Sequence, residues 1–167
     1  MSLSRTAGES QQIICLRMKE SLTVESIAVT DLDGNKVDLM AAYKGMPMLV
    51  IIYNNACLGC TGRAIPLAYE FQQKNPGLQV IGIHSNFGKS VASKEEIKSI
   101  FTSGEVPFPI YMDEGHKVYD QFESEGTPQW LLITGKGQLF RTVFGSQEGA
   151  QNRLSYALDE LLHGETV

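Results

Sequence analysis

No stretch of this sequence is both long and apolar enough to span a bilayer, and no run of like charge interrupts it. The first residues lack a basic segment followed by an apolar core, so no secretory signal is legible. Ile13-Ile14-Cys15 also lacks the small residues that precede a lipoprotein cysteine. As written, the chain is expected in the cytoplasm; a chain whose export signal had been cut away would read the same and would work outside it. Three cysteines are too few for a disulfide framework, so the fold must rest on a hydrophobic core. The formal charge of -5 argues against nucleic acid or an anionic membrane as the main partner. Internal repeats and low-complexity tracts are absent.

What is present is a compact pattern of alternating elements. Residues 1–20 are polar and little patterned, a leader expected to be disordered or a short helix. Residues 21–167 read as a single domain of ordinary size. Glu25 to Leu39 carries two β-prone stretches around Asp33-Gly34, a strong hairpin signal. Lys44-Gly45-Met46-Pro47 turns into Met48-Leu49-Val50-Ile51-Ile52-Tyr53, apolar on both faces as in a buried central strand. Ala64, Leu67, Ala68 and Phe71 follow with helical spacing, and Asn75-Pro76-Gly77 ends that helix. Leu78 to Ile83 is the next buried strand. Strand, helix and strand in this order imply parallel pairing.

Ser93-Lys94-Glu95-Glu96 is a capping box that opens a helix to about residue 103. Phe108 to Met112 reads as a short strand and the segment through Val118 and Phe122 as a short helix. Trp130 to Thr134 and Leu139 to Phe144 pair across Gly135-Lys136-Gly137. A last helix starts near Ser146 and buries Ala150, Leu154, Leu158, Leu161 and Leu162. The fold class is therefore α/β, a mixed sheet flanked by helices with an N-terminal β-hairpin.

Cys57-Leu58-Gly59-Cys60 stands between the first buried strand and its helix. With Cys57 opening the helix, both sulfurs lie on the same side of the first turn, and Cys57 sits at the positive end of the helix dipole. A thiolate is favoured there, and the pair reads as a redox dithiol: one sulfur attacks a partner disulfide and the other releases the mixed disulfide. The competing readings are a structural disulfide and half of a zinc site. Zinc would want four ligands, and no second CxxC or HxxxH is present. His84 ends a buried strand at the sheet edge where ligands gather, a candidate acid or base facing the dithiol. Arg63 is a candidate thiolate stabiliser. Phe71, Phe87, Phe101, Phe108, Tyr111, Tyr119 and Trp130 read mainly as core.

The element order, with the dithiol after the first strand and Gly126-Thr127-Pro128-Gln129-Trp130-Leu131-Leu132-Ile133 before the closing hairpin, resembles the thioredoxin fold. Asp31-Leu32-Asp33-Gly34 with Lys36, Lys44-Gly45 and Lys136-Gly137-Gln138-Leu139 narrow it. From about Val24 to Leu162 the chain resembles the TlpA/ResA-type thiol–disulfide oxidoreductases, relatives of the AhpC/TSA and redoxin proteins. The resemblance implies that Cys57 is the nucleophile, Cys60 the resolving thiol and Pro128 a cis-proline facing them. Thr127 would then offer its backbone to an extended substrate. It implies disulfide- or dithiol-containing protein partners and an external thiol reductant or oxidant, with no organic cofactor and no metal.

Four positions depart from the family pattern. Ala56 replaces a usual Trp before the first cysteine. Pro66 falls six residues after Cys60 rather than five, which implies a one-residue insertion. The buried acid expected beside the resolving thiol is absent from both usual places, which hold Arg63 and Ile51. Glu123 and Glu125 are candidates to replace it. Cys15 reads as an incidental thiol that could form a mixed disulfide with Cys57. Two further readings stay open: a peroxiredoxin-like peroxidase, for which Asn54 stands where Thr or Ser is wanted, and a non-enzymatic metal-binding module, which would need His84 near the sulfurs.

Overall fold

The computed structural model describes residues 22–164. Seven strands form one mixed sheet. In chain order they are β1 (Ala28–Thr30), β2 (Lys36–Asp38), β3 (Met48–Tyr53), β4 (Gln79–His84), β5 (Ile110–Met112), β6 (Gln129–Ile133) and β7 (Leu139–Phe144). Their spatial order is β2-β1-β5-β4-β3-β6-β7. The β3–β4 and β4–β5 pairs are parallel, and the other pairs antiparallel. The expected hairpin is the β1–β2 pair, turned by Gly34 at φ +88°, where a side chain is disfavoured.

Every residue of β3 is buried, as its unbroken apolar run requires. Its two faces feed two cores. Leu49, Ile51 and Tyr53 pack with helices α2 (Ile65–Lys74), α3 (Lys94–Ser99) and α5 (Glu148–His163), through Ala68, Ile97 and Leu154 among others. Met48, Val50 and Ile52 pack on the other side with α1 (Leu39–Ala42) and α4 (Lys117–Gln121), through Leu39 and Val118. The mixed sheet flanked by helices is thus the architecture expected from the sequence, and it is thioredoxin-like.

Three local expectations need adjustment. The capping box forms as expected, with Glu96 N–H donating to Ser93 Oγ at 3.1 Å and Ser93 N–H to Glu96 Oε1 at 3.2 Å. The helix it opens stops at Ser99, however, well short of residue 103. The single turn α1 had no sequence signal, because four residues are too few to show a period; the Asp38 side chain caps it by accepting from Met40 N–H. Phe87 is not core: it is 45% exposed and stacks on His116.

The pairing sets what meets at the edge of the sheet. β3 and β4 run parallel and end together at the paired residues Tyr53 and His84. β6 runs opposite to β3, with Gln129 opposite Ile52, so β6 begins where β3 ends. The segment before β6 is thereby delivered beside the loop that leaves β3.

Candidate active site

Two asparagines hold the loop from β3 to the helix. Asn54 Oδ1 accepts the N–H of Ala56 at 2.8 Å, and Asn54 Nδ2 donates to Ser85 O at 2.8 Å. Asn55 N–H donates to His84 Nε2 at 3.1 Å, and Asn55 Nδ2 to Glu96 O at 2.9 Å. Paired asparagines after a strand are a turn signal, yet the sequence did not reveal these long-range partners. Tied to β4 and α3, the loop delivers Cys57 at the point where the helix begins.

Cys57 occupies the capping position of that helix. Its carbonyl accepts from Cys60 and Thr61 N–H, each at 3.1 Å, and Cys60 N–H also lies 3.2 Å from Cys57 Sγ. The sulfur thus stands where a capping oxygen ordinarily accepts an orphan N–H. Negative charge on it is favoured both by that bond and by the helix dipole. The two cysteines are paired as a disulfide with Cα atoms 5.2 Å apart. Their surroundings differ: Cys57 is half-buried, while Cys60 has no exposure at all. Between them Leu58 is 84% exposed.

The loop before β6 closes over Cys57. The Thr127–Pro128 peptide is cis, and Thr127 O lies 3.5 Å from Cys57 Sγ. Gln129, buried at the start of β6, accepts from Glu125 N–H at 3.2 Å and donates to Val143 O at 3.2 Å, which fixes the loop's entry. Pro128 O accepts from Gly145 N–H at 2.9 Å, which ties the loop to the end of β7. Cys57, Cys60, Thr127 and Pro128, distant in sequence, therefore meet at one place.

The stretch before Pro66, where a one-residue insertion is expected, departs from a regular helix. Residues Cys60–Ala64 form a π turn, with Ile65 N–H bonded to Cys60 O five residues back. A π turn absorbs a single inserted residue, and such turns cluster at functional sites. The widened turn keeps Cys60, Ala64 and Ile65 buried and leaves Pro66 exposed at the start of the regular helix α2.

No carboxylate is tied by a hydrogen bond to either sulfur among the described residues. Ile51 is fully buried in the apolar core. Arg63 is exposed, and its Nε donates to Ser146 Oγ at 3.2 Å rather than to either sulfur. Glu123 and Glu125 are exposed, and neither carboxylate makes a hydrogen bond to either sulfur. Cys15 lies outside the described residues.

His84 sits beneath the loop rather than against the sulfurs. It is 2% exposed, and its ring packs edge-on against Tyr53 with centroids 5.3 Å apart. Because Nε2 accepts from Asn55, a neutral ring carries its proton on Nδ1, which has no partner among the described protein atoms. Burial lowers its pKa, opposed by the Glu96 charge, so the neutral form prevails. Its lone pair is engaged with the loop, so it holds the segment before Cys57 rather than serving as the dithiol's base.

The AhpC/TSA family model matches residues 22–149. Among curated proteins, the chain is 28% identical over 94 residues to the thiol-disulfide oxidoreductase YkuV of Bacillus subtilis. That match covers 56% of this chain and 63% of YkuV, a little under two thirds of its length. It is 22% identical over 137 residues to the thiol-disulfide oxidoreductase ResA of Bacillus cereus, covering 81% of this chain and 75% of the relative. It is also 27% identical over 137 residues to the chloroplastic peroxiredoxin Q of Sedum lineare, covering 81% and 68%. A thiol-disulfide isomerase from Corynebacterium glutamicum superposes with a TM-score of 0.71 at 22% identity, over 87% of this chain and 98% of that one.

Proposed function

The chain belongs to the AhpC/TSA family, and we propose that within it this protein is a thiol–disulfide oxidoreductase exchanging its Cys57–Cys60 pair with a protein partner through a mixed disulfide. The asymmetry of the pair carries this reading. The half-buried Cys57 sulfur accepts an N–H at the start of a helix, while Cys60 is sealed beneath it. One sulfur is placed to meet a partner, and the other can react only within the chain.

In the reducing direction the Cys57 thiolate attacks one sulfur of the partner's disulfide. The Cys57–partner bond forms, and the partner's other sulfur leaves as a thiolate and is protonated. Cys60 then loses its proton and attacks Cys57, releasing the second partner sulfur as a thiol. Two electrons pass to the partner and the chain is left oxidised. An external thiol reductant restores the dithiol; for the reverse direction an external oxidant restores the disulfide. Thr127 and Pro128 would hold the partner's extended segment over Cys57, and no organic cofactor or metal enters these steps.

Replacing Cys60 with Ser removes the resolving step. Incubated with cell extract, the Cys60→Ser chain is expected to accumulate covalent partners that reductant releases and that Cys57→Ser does not capture. A Cys60→Ser chain with a reactive Cys57 that captures nothing would end the exchange reading.

The similarity to peroxiredoxin Q favours one rival, a thiol peroxidase. The residue three before Cys57 weighs against it, because both polar ends of the Asn54 side chain are committed to Ala56 and Ser85. Hydrogen peroxide consumption at a rate matching or exceeding disulfide exchange would reverse the order of the two. The metal-module reading has little support: His84 turns its ring nitrogen to Asn55, and among the described residues no group of three or more His, Cys, Asp or Glu is placed to hold an ion.

Cytoplasmic placement belongs to this proposal as well. Among the described residues no helix is long and apolar enough to cross a membrane. A cytoplasmic chain is expected to be mostly dithiol in vivo, and an acid-quenched alkylation assay finding it oxidised would move it to an oxidising compartment.

A further inference from the structure

Arg63 is a cation anchored beside the dithiol turn. Its Nε donates to Ser146 Oγ at 3.2 Å, and Ser146 follows Gly145, whose N–H bonds to Pro128 O at 2.9 Å. The arginine is thereby fastened to the strand end that also fastens the Thr127–Pro128 loop. On the other side it lies over the dithiol turn. A Cβ on Gly59 would stand 3.2 Å from Arg63 Nη2 and 2.8 Å from Ser146 Oγ, so the missing side chain makes room for both. The exposed Arg63 thus stands beside the half-buried dithiol turn, on a footing of the buried Ser146 and Pro128.

The guanidinium has charge to offer there. No carboxylate lies within ion-pair distance of it among the described residues, and its two terminal nitrogens make no hydrogen bond to them. Apolar groups are exposed nearby: Leu58 is 84% exposed, and Phe144, packed against Gly126, is 41% exposed. In a chain of net charge -5 this exposed arginine places a positive charge three residues after Cys60.

We propose that Arg63 sets partner choice: it receives a carboxylate from an extended, acidic segment of the partner protein, next to the cysteine that Cys57 attacks. This rests on the exchange reading above. An arginine already held at Nε presents its outer two nitrogens in a planar fork matched to a carboxylate, and loses less freedom on binding than a mobile one. The bond to Ser146 makes the feature a built one rather than a loose surface charge.

The test uses the full chain in its dithiol form and three extended peptide disulfides, identical except for Asp, Asn or Lys beside the disulfide cysteine. Rates of reaction with Cys57 are read by stopped flow for the wild type, Arg63→Gln and Ser146→Ala. The wild type is expected to prefer the Asp peptide over the Asn peptide by roughly tenfold, the scale of one hydrogen bond to a charged group, and to disfavour the Lys peptide. Arg63→Gln should abolish that preference while leaving the Asn peptide within about twofold, and Ser146→Ala should weaken it; added salt should compress it. Equal slowing of all three peptides by Arg63→Gln would mean that the arginine serves Cys57 or the fold, and would overturn the proposal. So would a wild type indifferent to the flanking charge. A wild type inert to every peptide overturns the exchange reading itself and this inference with it.

Discussion

Lowering the pH should cost this protein stability through His84, by an amount the structure bounds. The ring is 2% exposed, its Nε2 accepts from Asn55 N–H, and burial depresses its pKa below the ordinary 6.5. The unfolded chain binds a proton near pH 6.5, whereas the folded chain resists it, because a proton on Nε2 would confront the Asn55 donor. Stability from this group is therefore complete above pH 6.5 and is lost as the pH falls through it toward the folded value. If the folded ring stays neutral throughout, the loss from about pH 7.5 to about pH 5.5 is about 1.4 kcal/mol. The nearby Glu96 charge works the other way and makes this figure a ceiling. Urea unfolding at both pH values, for wild type and His84→Gln, isolates the effect, since carboxylates and the exposed His116 are common to both. Gln places an amide oxygen where Nε2 lies and can still accept from Asn55, but does not titrate. The wild type should lose more stability than the variant across this range, by no more than that ceiling. Parallel losses would refute the neutral, loop-holding histidine.

Gly82→Ala should destabilise the chain by about 1 kcal/mol. Its Cβ would stand 3.2 Å from Ile110 Cγ1 and from Phe108 Cε1 and 3.4 Å from Tyr53 Cε1 in a packed core, a cost of about 1–3 kcal/mol against an entropic gain of about 0.4–1; a variant more stable than wild type in urea would contradict the packing. Ser93→Ala breaks the capping box of α3 and should cost about 1 kcal/mol. Amide exchange at Ile97, which donates to Ser93 O, should quicken as the turn frays, and unchanged protection there would mean that the cap is not what holds this helix.

Much of this was legible where a segment's own chemistry decides its state. The apolar run 48–53 read as a covered strand, Asp33-Gly34 marked the β1–β2 hairpin, and Ser93 to Glu96 marked a helix start. The spacing from Cys60 to Pro66 suggested an insertion, but the π turn at Cys60–Ala64 itself had no local signal. What stayed hidden depends on partners far along the chain. Arg63 and Ser146 are 83 positions apart and Asn55 and His84 29, so no local pattern announces either contact. Phe87 looked like core because aromatic residues usually are, yet its loop leaves the sheet and stacks it on His116 instead. The end of α3 was overextended because Ile100 and Phe101 prolong the apolar pattern, whereas the chain turns there and reaches Gly104 at φ +72°.

The central claim is that Cys57 and Cys60 work as an exchanging pair rather than as a staple. It is tested most directly by their reduction potential, read by alkylation and mass spectrometry in graded thiol buffers. The account predicts a reversible two-electron couple between about -270 and about -120 mV, the range of exchange catalysts. A value below about -300 mV, typical of structural disulfides, or no Cys57–Cys60 disulfide in any buffer, would contradict it.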